Sequence, residues 1–203
     1  LIFVAYNSLY ISFLENESSI IMDHLEAIVI LKNIINPDFC KRVIALTDKK
    51  AKKNLTVNGG LDINYRNVKG YYLIQSNTPT DKFYWNFIKL EIEKFYTHYK
   101  IKFPQMASNK INQIDLLKYT PGGEYKVHTD HYTNTPRHLS IIINLNDEYE
   151  GGDLIFTDQK NNEIKRLQLG KGSIVFFPSN FLYPHSIQPI TKGTRYSIVA
   201  WLQ

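Results

Sequence analysis

Two histidines and an aspartate lie close together in the stretch YKVHTDHY, at His128, Asp130 and His131. Imidazole nitrogens and carboxylate oxygens are common protein ligands of transition-metal ions. On a β-strand, alternate residues share a face, so His128 and Asp130 point the same way and His131 points away. The pattern therefore predicts a metal-binding pair, His128 and Asp130, which needs a third ligand from another part of the chain.

The histidines downstream of this pair are His131, His138 and His185. His185 lies in LYPHSIQP, where Pro184 restricts the approach of the chain, and several predicted strands separate it from His128. A rolled sheet can return such a segment beside its starting strand. Two histidines and one carboxylate on one face of a metal leave three coordination positions open, as in non-haem Fe(II) oxygenases. We interpret His131 and His138 as surface residues or supporting neighbours.

An arginine, Arg195, begins the predicted strand in GTRYSIVAW shortly after His185. A guanidinium fixed at a strand start offers a planar pair of donors to a carboxylate, and it stays charged when buried. If 2-oxoglutarate chelates the metal through its 1-carboxylate and 2-keto oxygens, its distal carboxylate needs such a partner. Lys192 is an alternative, but it lies in the turn ITKG, where we expect it to be solvated.

The elements that must position these residues change character about halfway along the chain. Helical spacing predicts one helix with Asn36 as N-cap and Pro37 at its first position, and a second helix capped by Thr80. From Ile111 onward, short β-rich runs alternate with turns such as PGG, EGG and GKG. Helices followed by seven or eight short strands predict an α+β fold, with a jelly-roll core over about residues 111–203 braced by the helices.

Two segments before that core have their own interpretation. The apolar stretch LIFVAYNSLYISFL is too short for a confident membrane span and lacks the features of a signal peptide. Since Met22 begins an ordinary domain pattern, we expect residues 1–21 to be a leader or non-native segment and residues 22–203 to be a single domain. The alternative is an extra packed strand or helix. The polar, loop-like stretch from Thr56 to Gln75 occupies a place where we expect a lid or hairpin that covers a substrate.

Composition narrows the range of partners. The 203 residues include 24 basic and 19 acidic side chains, for a net charge of +5 that is spread along the chain. A nucleic-acid binder more often shows a concentrated basic stripe, so we do not expect such a partner, although nucleic-acid oxidation stays an alternative. We expect no membrane association. The single cysteine, Cys40, excludes an internal disulfide and a cysteine-rich zinc site, and it fits a cytoplasmic location.

The segment from about Gln113 to Trp201 resembles the 2-oxoglutarate and Fe(II)-dependent dioxygenase superfamily, in particular the prolyl 4-hydroxylase group that includes the HIF prolyl hydroxylases. The resemblance rests on YTPGGEYKVHTD, RHLSIIINLNDEYEGGDLIF and GSIVFFPSNFLYPHSIQPITKGTRYSIVAW. It implies a double-stranded β-helix (jelly roll), a requirement for Fe(II), 2-oxoglutarate and O2, and succinate and CO2 as products. It also implies ascorbate as the reductant.

The same resemblance implies roles for individual residues. His128, Asp130 and His185 correspond to the iron ligands, and Arg195 corresponds to the residue that binds the distal carboxylate of the cosubstrate. Tyr119 matches a tyrosine that reaches the cosubstrate, although an aromatic side chain that fills the mouth of the barrel is an equally good interpretation. Trp201 also matches, and we interpret it as a core residue.

A strand face made of Ser140, Ile142 and Asn144 lines the 2-oxoglutarate pocket in the resembling enzymes. Asn144 departs from the HIF-type pattern, because those enzymes carry a tyrosine there. We therefore expect Ser197, on the same face as Arg195, to supply the second hydrogen bond to the distal carboxylate.

The resemblance implies hydroxylation of a C–H bond, most simply on a proline of a peptide or protein. A free amino acid or another small molecule is the main alternative substrate, because a fold does not fix its substrate. A non-catalytic β-sandwich binding module is an alternative of another class. A zinc hydrolase is a third, but it would leave Arg195 without a role.

Overall fold

A computed structural model describes residues 24–56, 60–106, 108, 110–134 and 136–203. The leader predicted at residues 1–21, and its alternative as a packed element, lie outside this described part. A short 3-10 helix spans His24–Ala27, and two α-helices follow, α1 (Pro37–Lys50) and α2 (Pro79–Lys102). Neither α-helix is apolar enough over a sufficient length to cross a membrane.

Antiparallel strands are the other regular elements of the described chain. They are β1 (Val29–Leu31), β2 (Lys53–Asn54), β3 (Arg66–Asn67), β4 (Lys69–Leu73), β5 (Ile111–Tyr119), β6 (Glu124–His128), β7 (Leu139–Asn144), β8 (Tyr149–Gly151), β9 (Leu154–Thr157), β10 (Glu163–Leu167), β11 (Ile174–Pro178), β12 (His185–Ile187), β13 (Ile190–Gly193) and β14 (Arg195–Leu202). One sheet has the order β1-β11-β7-β14-β5-β4-β2, and a second has the order β10-β9-β12-β6-β3. A separate small pair joins β13 and β8.

The central strands of the seven-stranded sheet are buried on both faces, which explains their nearly unbroken apolar sequences. In β7, Ile141 belongs to a hydrophobic cluster that also contains buried side chains of α1 and α2. Its neighbour Ile142 belongs to a second cluster, which joins Phe177 of this sheet to Phe156 of the five-stranded sheet. The two sheets therefore pack face to face around an apolar core, as expected for a jelly roll.

The helix starts follow the capping chemistry of the sequence. Asn36 caps α1, because its side-chain oxygen accepts a hydrogen bond from Asp38 N at 2.7 Å. For α2 the predicted cap, Thr80, is wrong: the cap is Thr78, whose Oγ1 accepts a hydrogen bond from Asp81 N at 3.1 Å. The helix begins before Thr80 because Pro79 fits the first helical position, where its missing N–H needs no partner.

The stretch from Thr56 to Gln75 is not an unbroken loop, because it contains β3 and β4, which pair with β6 and β5 rather than with each other as a hairpin. β4 pairs with β5 over Lys69–Leu73 and extends the seven-stranded sheet. Leu73 is buried on this strand, and Gly70 lies where a Cβ atom would come within 2.5 Å of Leu55 Cδ1. The glycine lets Leu55 lie against the strand, a contact between distant segments that the local sequence does not reveal.

Candidate functional site

The two distant histidines meet because their strands pair. His128 ends β6, His185 begins β12, and the two residues lie directly opposite each other, with ring centroids 4.3 Å apart. Asp130 completes the group, with Oδ1 3.5 Å from His128 Nε2 and Oδ2 3.6 Å from His185 Nε2. One ligand atom from each residue lies within 4.8 Å of the others, so a single ion could contact all three.

Asp130 reaches this position by a different route from the one predicted. It lies beyond the end of β6, in a bend, so strand alternation does not orient it. Its side chain instead accepts a hydrogen bond from Ser140 Oγ at 2.7 Å, and its backbone oxygen accepts one from Arg137 Nη1 at 3.2 Å. His131 lies outside the group, as expected: it is exposed, and its Nδ1 is 2.9 Å from Arg137 O.

Backbone carbonyls fix the orientation of both imidazole rings. His128 Nδ1 lies 2.8 Å from Lys126 O, and His185 Nδ1 lies 3.0 Å from Tyr183 O. A carbonyl oxygen only accepts hydrogen bonds, so in the neutral ring the proton is on Nδ1 and the Nε2 lone pair is free. Both Nε2 lone pairs are therefore directed toward the Asp130 carboxylate, an arrangement that suits a shared cation.

Burial and neighbouring charge set the protonation of this group. Burial alone would raise the pKa of Asp130, but His185, His128 and the Ser140 hydrogen bond outweigh it and hold the pKa well below its ordinary value. Burial, followed by the repulsion from His128, lowers the pKa of His185 to about 4. Near neutral pH the site thus offers an ionised carboxylate and a neutral imidazole at His185, the forms that bind metal ions.

Arg195 is buried beside these residues with part of its guanidinium unpaired. It begins β14 opposite Tyr119 of β5, and only 1% of its surface is exposed. Its Nη1 donates to Ser197 Oγ at 3.3 Å, whereas Nε and Nη2 have no partner in the described part of the chain. An unpaired buried donor is costly, and two adjacent guanidinium donors match the two oxygens of a carboxylate. Gly152 makes room for this side chain, because a Cβ there would come 3.0 Å from Arg195 Cδ.

One cavity connects the histidines, Asp130 and Arg195. It is lined by Arg66, Leu117, Tyr119, Tyr125, His128, Asp130, Ile142, His185, Ile187, Arg195, Ser197, Val199 and Trp201. Three of the predicted cosubstrate residues are therefore in its wall, namely Tyr119, Ile142 and Ser197. Burial raises the pKa of the Tyr119 phenol, which keeps its proton available for donation.

Two residues of the predicted pocket face have other contacts. Ser140 Oγ donates to Asp130 Oδ2 and lies 2.8 Å from Ser179 Oγ, so it positions one side chain of the candidate metal site. The Asn144 amide donates to Asn146 O at 2.6 Å and to Leu169 O at 2.7 Å, and it is absent from the cavity wall. Of the predicted strand face, the central residue Ile142 lines the cavity, whereas Ser140 and Asn144 lie beyond it at either end.

Lys192 does not take the place of Arg195. Its side chain is exposed and its Nζ lies 3.0 Å from Glu150 Oε1.

An entrance cavity of about 270 Å³ adjoins the first, and its walls contain residues that the sequence did not indicate. It is lined by Thr56, Arg66, Tyr72, Gln113, Asp115, Tyr125, Asp130, Tyr132, Arg137 and Trp201. Trp201 is buried, as expected for a core residue, and it also lines the first cavity, because Arg195, Ser197, Val199 and Trp201 alternate along β14. That period-2 pattern was a usable signal for Trp201.

A chain of hydrogen bonds crosses the wall of the entrance cavity. Gln113 donates to Asp115 Oδ1 at 2.8 Å and accepts from Arg137 Nη2 at 2.8 Å. The guanidinium of Arg137 also stacks on Trp201, with Cζ 3.7 Å from the ring centroid. Arg137 also donates to the backbone of Asp130. These residues come from strands and loops far apart in the sequence, so no local motif connects them.

Comparison with known proteins bears on the identity of this site. Residues 114–203 match the profile of a family described as the 2OG-Fe(II) oxygenase superfamily. A PKHD-type hydroxylase of Prochlorococcus marinus is 36% identical over 98 residues, which cover 46% of this chain and 42% of that relative. This chain thus spans less than half the length of that curated relative.

Solved structures show the fold over most of the chain. A Pseudomonas putida prolyl-4-hydroxylase superposes with a TM-score of 0.69 at 16% identity, covering 87% of this chain and 92% of that one. A prolyl hydroxylase from Trichoplax adhaerens, in complex with a hypoxia inducible factor oxygen degradation domain peptide fragment, gives 0.64 at 15% identity, covering 87% and 83%. The predicted jelly-roll core and the resemblance to the 2-oxoglutarate and Fe(II)-dependent superfamily are confirmed.

Proposed function

We propose that this protein is an Fe(II)- and 2-oxoglutarate-dependent dioxygenase that hydroxylates a C–H bond, because residues 114–203 match the profile of the 2OG-Fe(II) oxygenase superfamily. The observation that carries the proposal is the convergence of His128, Asp130 and His185 in one cavity with the unpaired guanidinium edge of Arg195. Two imidazoles and a carboxylate suit Fe(II) and leave coordination positions open.

Each side chain has a role in this proposal. His128, Asp130 and His185 would hold the iron, and Arg195 would hold the distal carboxylate of 2-oxoglutarate through Nε and Nη2. When bound, the iron, 2-oxoglutarate and O2 supply the oxidation and release succinate and CO2. Apolar side chains, among them Ile142 and Val199, form part of the cavity wall and would limit the access of water to the bound groups. We propose ascorbate as the reductant on the resemblance alone.

A non-catalytic module is the less favoured reading, because it gives no reason for Arg195 to be buried with two unpaired donors. A zinc hydrolase is less favoured for the same reason.

The test of the proposal is an anaerobic titration with Fe(II) and 2-oxoglutarate, monitored by the weak visible charge-transfer band of the chelate. We expect the band in the parent protein and its loss in His185→Ala. His131→Ala is the matched control, since this nearby histidine lies outside the metal-ligand group, and it should keep the band. Absence of the band in folded parent protein would contradict the proposal.

For the substrate, we propose a proline residue within a peptide or protein. The shared fold with prolyl hydroxylases supports this choice, as does an entrance cavity open toward the surface. A free amino acid is the alternative. Mass spectrometry after incubation with proline-containing peptides and with free amino acids separates the two, since only the true substrate gains one oxygen. The gain of one oxygen by the free amino acid alone would contradict the peptide proposal.

We also infer that α1 and α2 brace the seven-stranded sheet. Val43 of α1 and Ile88 of α2 are fully buried in the same hydrophobic cluster as Ile141 and Ile198 of the sheet. The sheet face opposite the site is thereby buried against the helices, and this packing would hold β7 and β14 in position.

A further inference from the structure

A surface trench adjoins the entrance cavity and has no role in the chemistry described so far. It has a volume of about 1180 Å³ and shares Tyr72 and Gln113 with the entrance cavity. A second hollow of about 730 Å³ continues it and shares Gln75, Trp85 and Asn112 with it. We use "trench" for both parts together, lined by residues 72–79, Lys82, Trp85, Lys89 and residues 110–113.

One wall of the trench is an open strand edge. β4 pairs with β5 only from Ile114 to Lys118, so the start of β5, Ile111–Gln113, continues beyond it. This start pairs with β14 on one side, and no strand in the described part of the chain pairs with it on the side of the trench. A free strand edge presents main-chain N–H and C=O groups that an extended polypeptide can pair with.

A buried polar atom lies in the same wall. The side-chain oxygen of Asn112 is buried and has no hydrogen-bond partner within the described residues. An unpaired buried acceptor costs free energy until a donor reaches it. An N–H group of a polypeptide lying along β5 is such a donor, so this atom supports an occupant independently of the strand edge.

The charged residues that line the trench all have the same sign. They are Lys82, Lys89 and Lys110, and no carboxylate is among the described lining residues. Lys89 has an exposed partner on its own helix, Glu93, at 3.4 Å, and both side chains stay more than 40% exposed. Because Lys89 is only partly paired, the lining residues of the trench carry a net positive charge, which favours an anionic occupant.

We propose that the trench binds an extended acidic stretch of a polypeptide substrate, next to the residue held in the entrance cavity. The proposal rests on the proposed function, in that the substrate is a polypeptide. The strand edge favours a polypeptide over a nucleic acid, because the free N–H and C=O groups of β5 have the spacing of the main-chain groups of an extended polypeptide. Ile74, 47% exposed in the trench wall, and the partly buried Trp85 add apolar contact area.

The first experiment measures fluorescence anisotropy of labelled proline-containing peptides of equal length on the purified chain. The residues on one side of the proline are all Glu, all Gln or all Lys. We expect the Glu peptide to bind about tenfold more tightly than the Gln peptide, with the difference shrinking as salt is added. Equal affinity of the Glu and Gln peptides would overturn the proposal.

The second experiment compares three Lys→Glu replacements inside the trench with three Lys→Glu replacements elsewhere on the surface. One variant carries Lys82→Glu, Lys89→Glu and Lys110→Glu, and its matched control carries Lys41→Glu, Lys52→Glu and Lys160→Glu, three exposed lysines outside the trench. The trench variant should lose about tenfold in affinity for the Glu peptide and prefer the Lys peptide, while the control changes less than about threefold. Equal losses would mean that overall charge, not the trench, binds the peptide.

The strand edge has its own test. Backbone N-methylation of the Glu stretch removes its N–H donors and should weaken binding about tenfold, to about the level of the Gln peptide. An oligonucleotide of equal charge that binds more tightly than the Glu peptide would overturn the choice of a polypeptide.

Failure of the trench and failure of the proposed function give different results. If the charge-transfer band forms but the Glu and Gln peptides bind alike, the trench proposal fails alone. If the Glu peptide binds selectively but the band never forms, the proposed function fails while the trench remains a polypeptide site.

Discussion

Asp115 is a carboxyl group buried in the wall of the entrance cavity with little to compensate its charge. The residue is 1% exposed, and its Oδ1 accepts one hydrogen bond from Gln113 at 2.8 Å. Its Oδ2 lies 4.0 Å from Arg66 Nη2. Burial, only partly offset by Gln113 and Arg66, raises its pKa to about 6. Ionisation of this residue therefore opposes folding, because it places a weakly paired charge in the wall of that cavity.

The pH dependence of stability should reveal this effect. The native state binds the Asp115 proton more tightly than the unfolded state, so stability falls as pH rises from 3.8 to about 6. Asp115→Asn removes this loss. The free energy of unfolding of the variant, relative to the parent, should improve by about 1 kcal/mol between about pH 5 and about pH 7.5. Urea unfolding at the two pH values measures it.

Asp62→Asn makes the same replacement at an exposed carboxyl and is the control for that comparison. If the difference between Asp115→Asn and the parent does not change with pH, the buried carboxyl is fully compensated.

At the scale of elements, the seven-stranded sheet separates two environments. On one face, side chains of β7 and β14 pack with α1 and α2, and on the other face the same strands carry Ile142, Ser197 and Arg195 into the cavity. Alternation along each strand thus links the packing of the helices to the position of the cavity residues. A loss of packing at the helix face should be measurable as a loss of stability.

Ile88 and Leu90 of α2 provide that test. Ile88 is fully buried and Leu90 is 67% exposed, although both are apolar residues of one helix. Ile88→Ala should lower the free energy of unfolding by about 2–5 kcal/mol, through lost burial and the cavity left behind. Leu90→Ala should change it by about 0.5 kcal/mol or less. Equal effects in urea unfolding would contradict the inference that α2 braces the sheet.

For the molecule as a whole, the proposed ligands would connect the two sheets. His128 and His185 belong to the five-stranded sheet, whereas Arg195 belongs to the seven-stranded sheet. A metal-bound dicarboxylate held by all three would link the halves of the sandwich, and it would bind the native state only. Such binding stabilises the fold by mass action.

Thermal unfolding with Mn(II) as a redox-inert probe tests this link. At about 100 times the dissociation constant, Mn(II) with 2-oxoglutarate should stabilise the fold by about 2.7 kcal/mol, or about 5–10 °C in Tm. Removal of both by a chelator and dialysis should reverse the shift. Arg195→Met should keep the rise in Tm caused by Mn(II) and lose the further rise caused by 2-oxoglutarate. If 2-oxoglutarate raises the Tm of Arg195→Met as much as that of the parent, the distal carboxylate is bound by another residue.

The sequence by itself determined the features that depend on neighbours along the chain. The capping of α1 by Asn36, the β-rich runs after Ile111 and the spacing of His128 and Asp130 are local patterns, because backbone periodicity and turn residues act over a few positions. The metal-ligand set of these two residues with His185 was predicted by combining that spacing with a family resemblance, and the three side chains do converge.

Only the tertiary structure decided what depends on distant partners. Ser140, rather than strand alternation, orients Asp130, and Asn144 turns away from the cavity to bond the backbone of a distant loop. The entrance cavity joins Arg66 and Gln113, and the trench lies where the start of β5 extends beyond the end of β4. Such contacts join segments whose separation along the chain carries no periodic signal, so packing alone determines them.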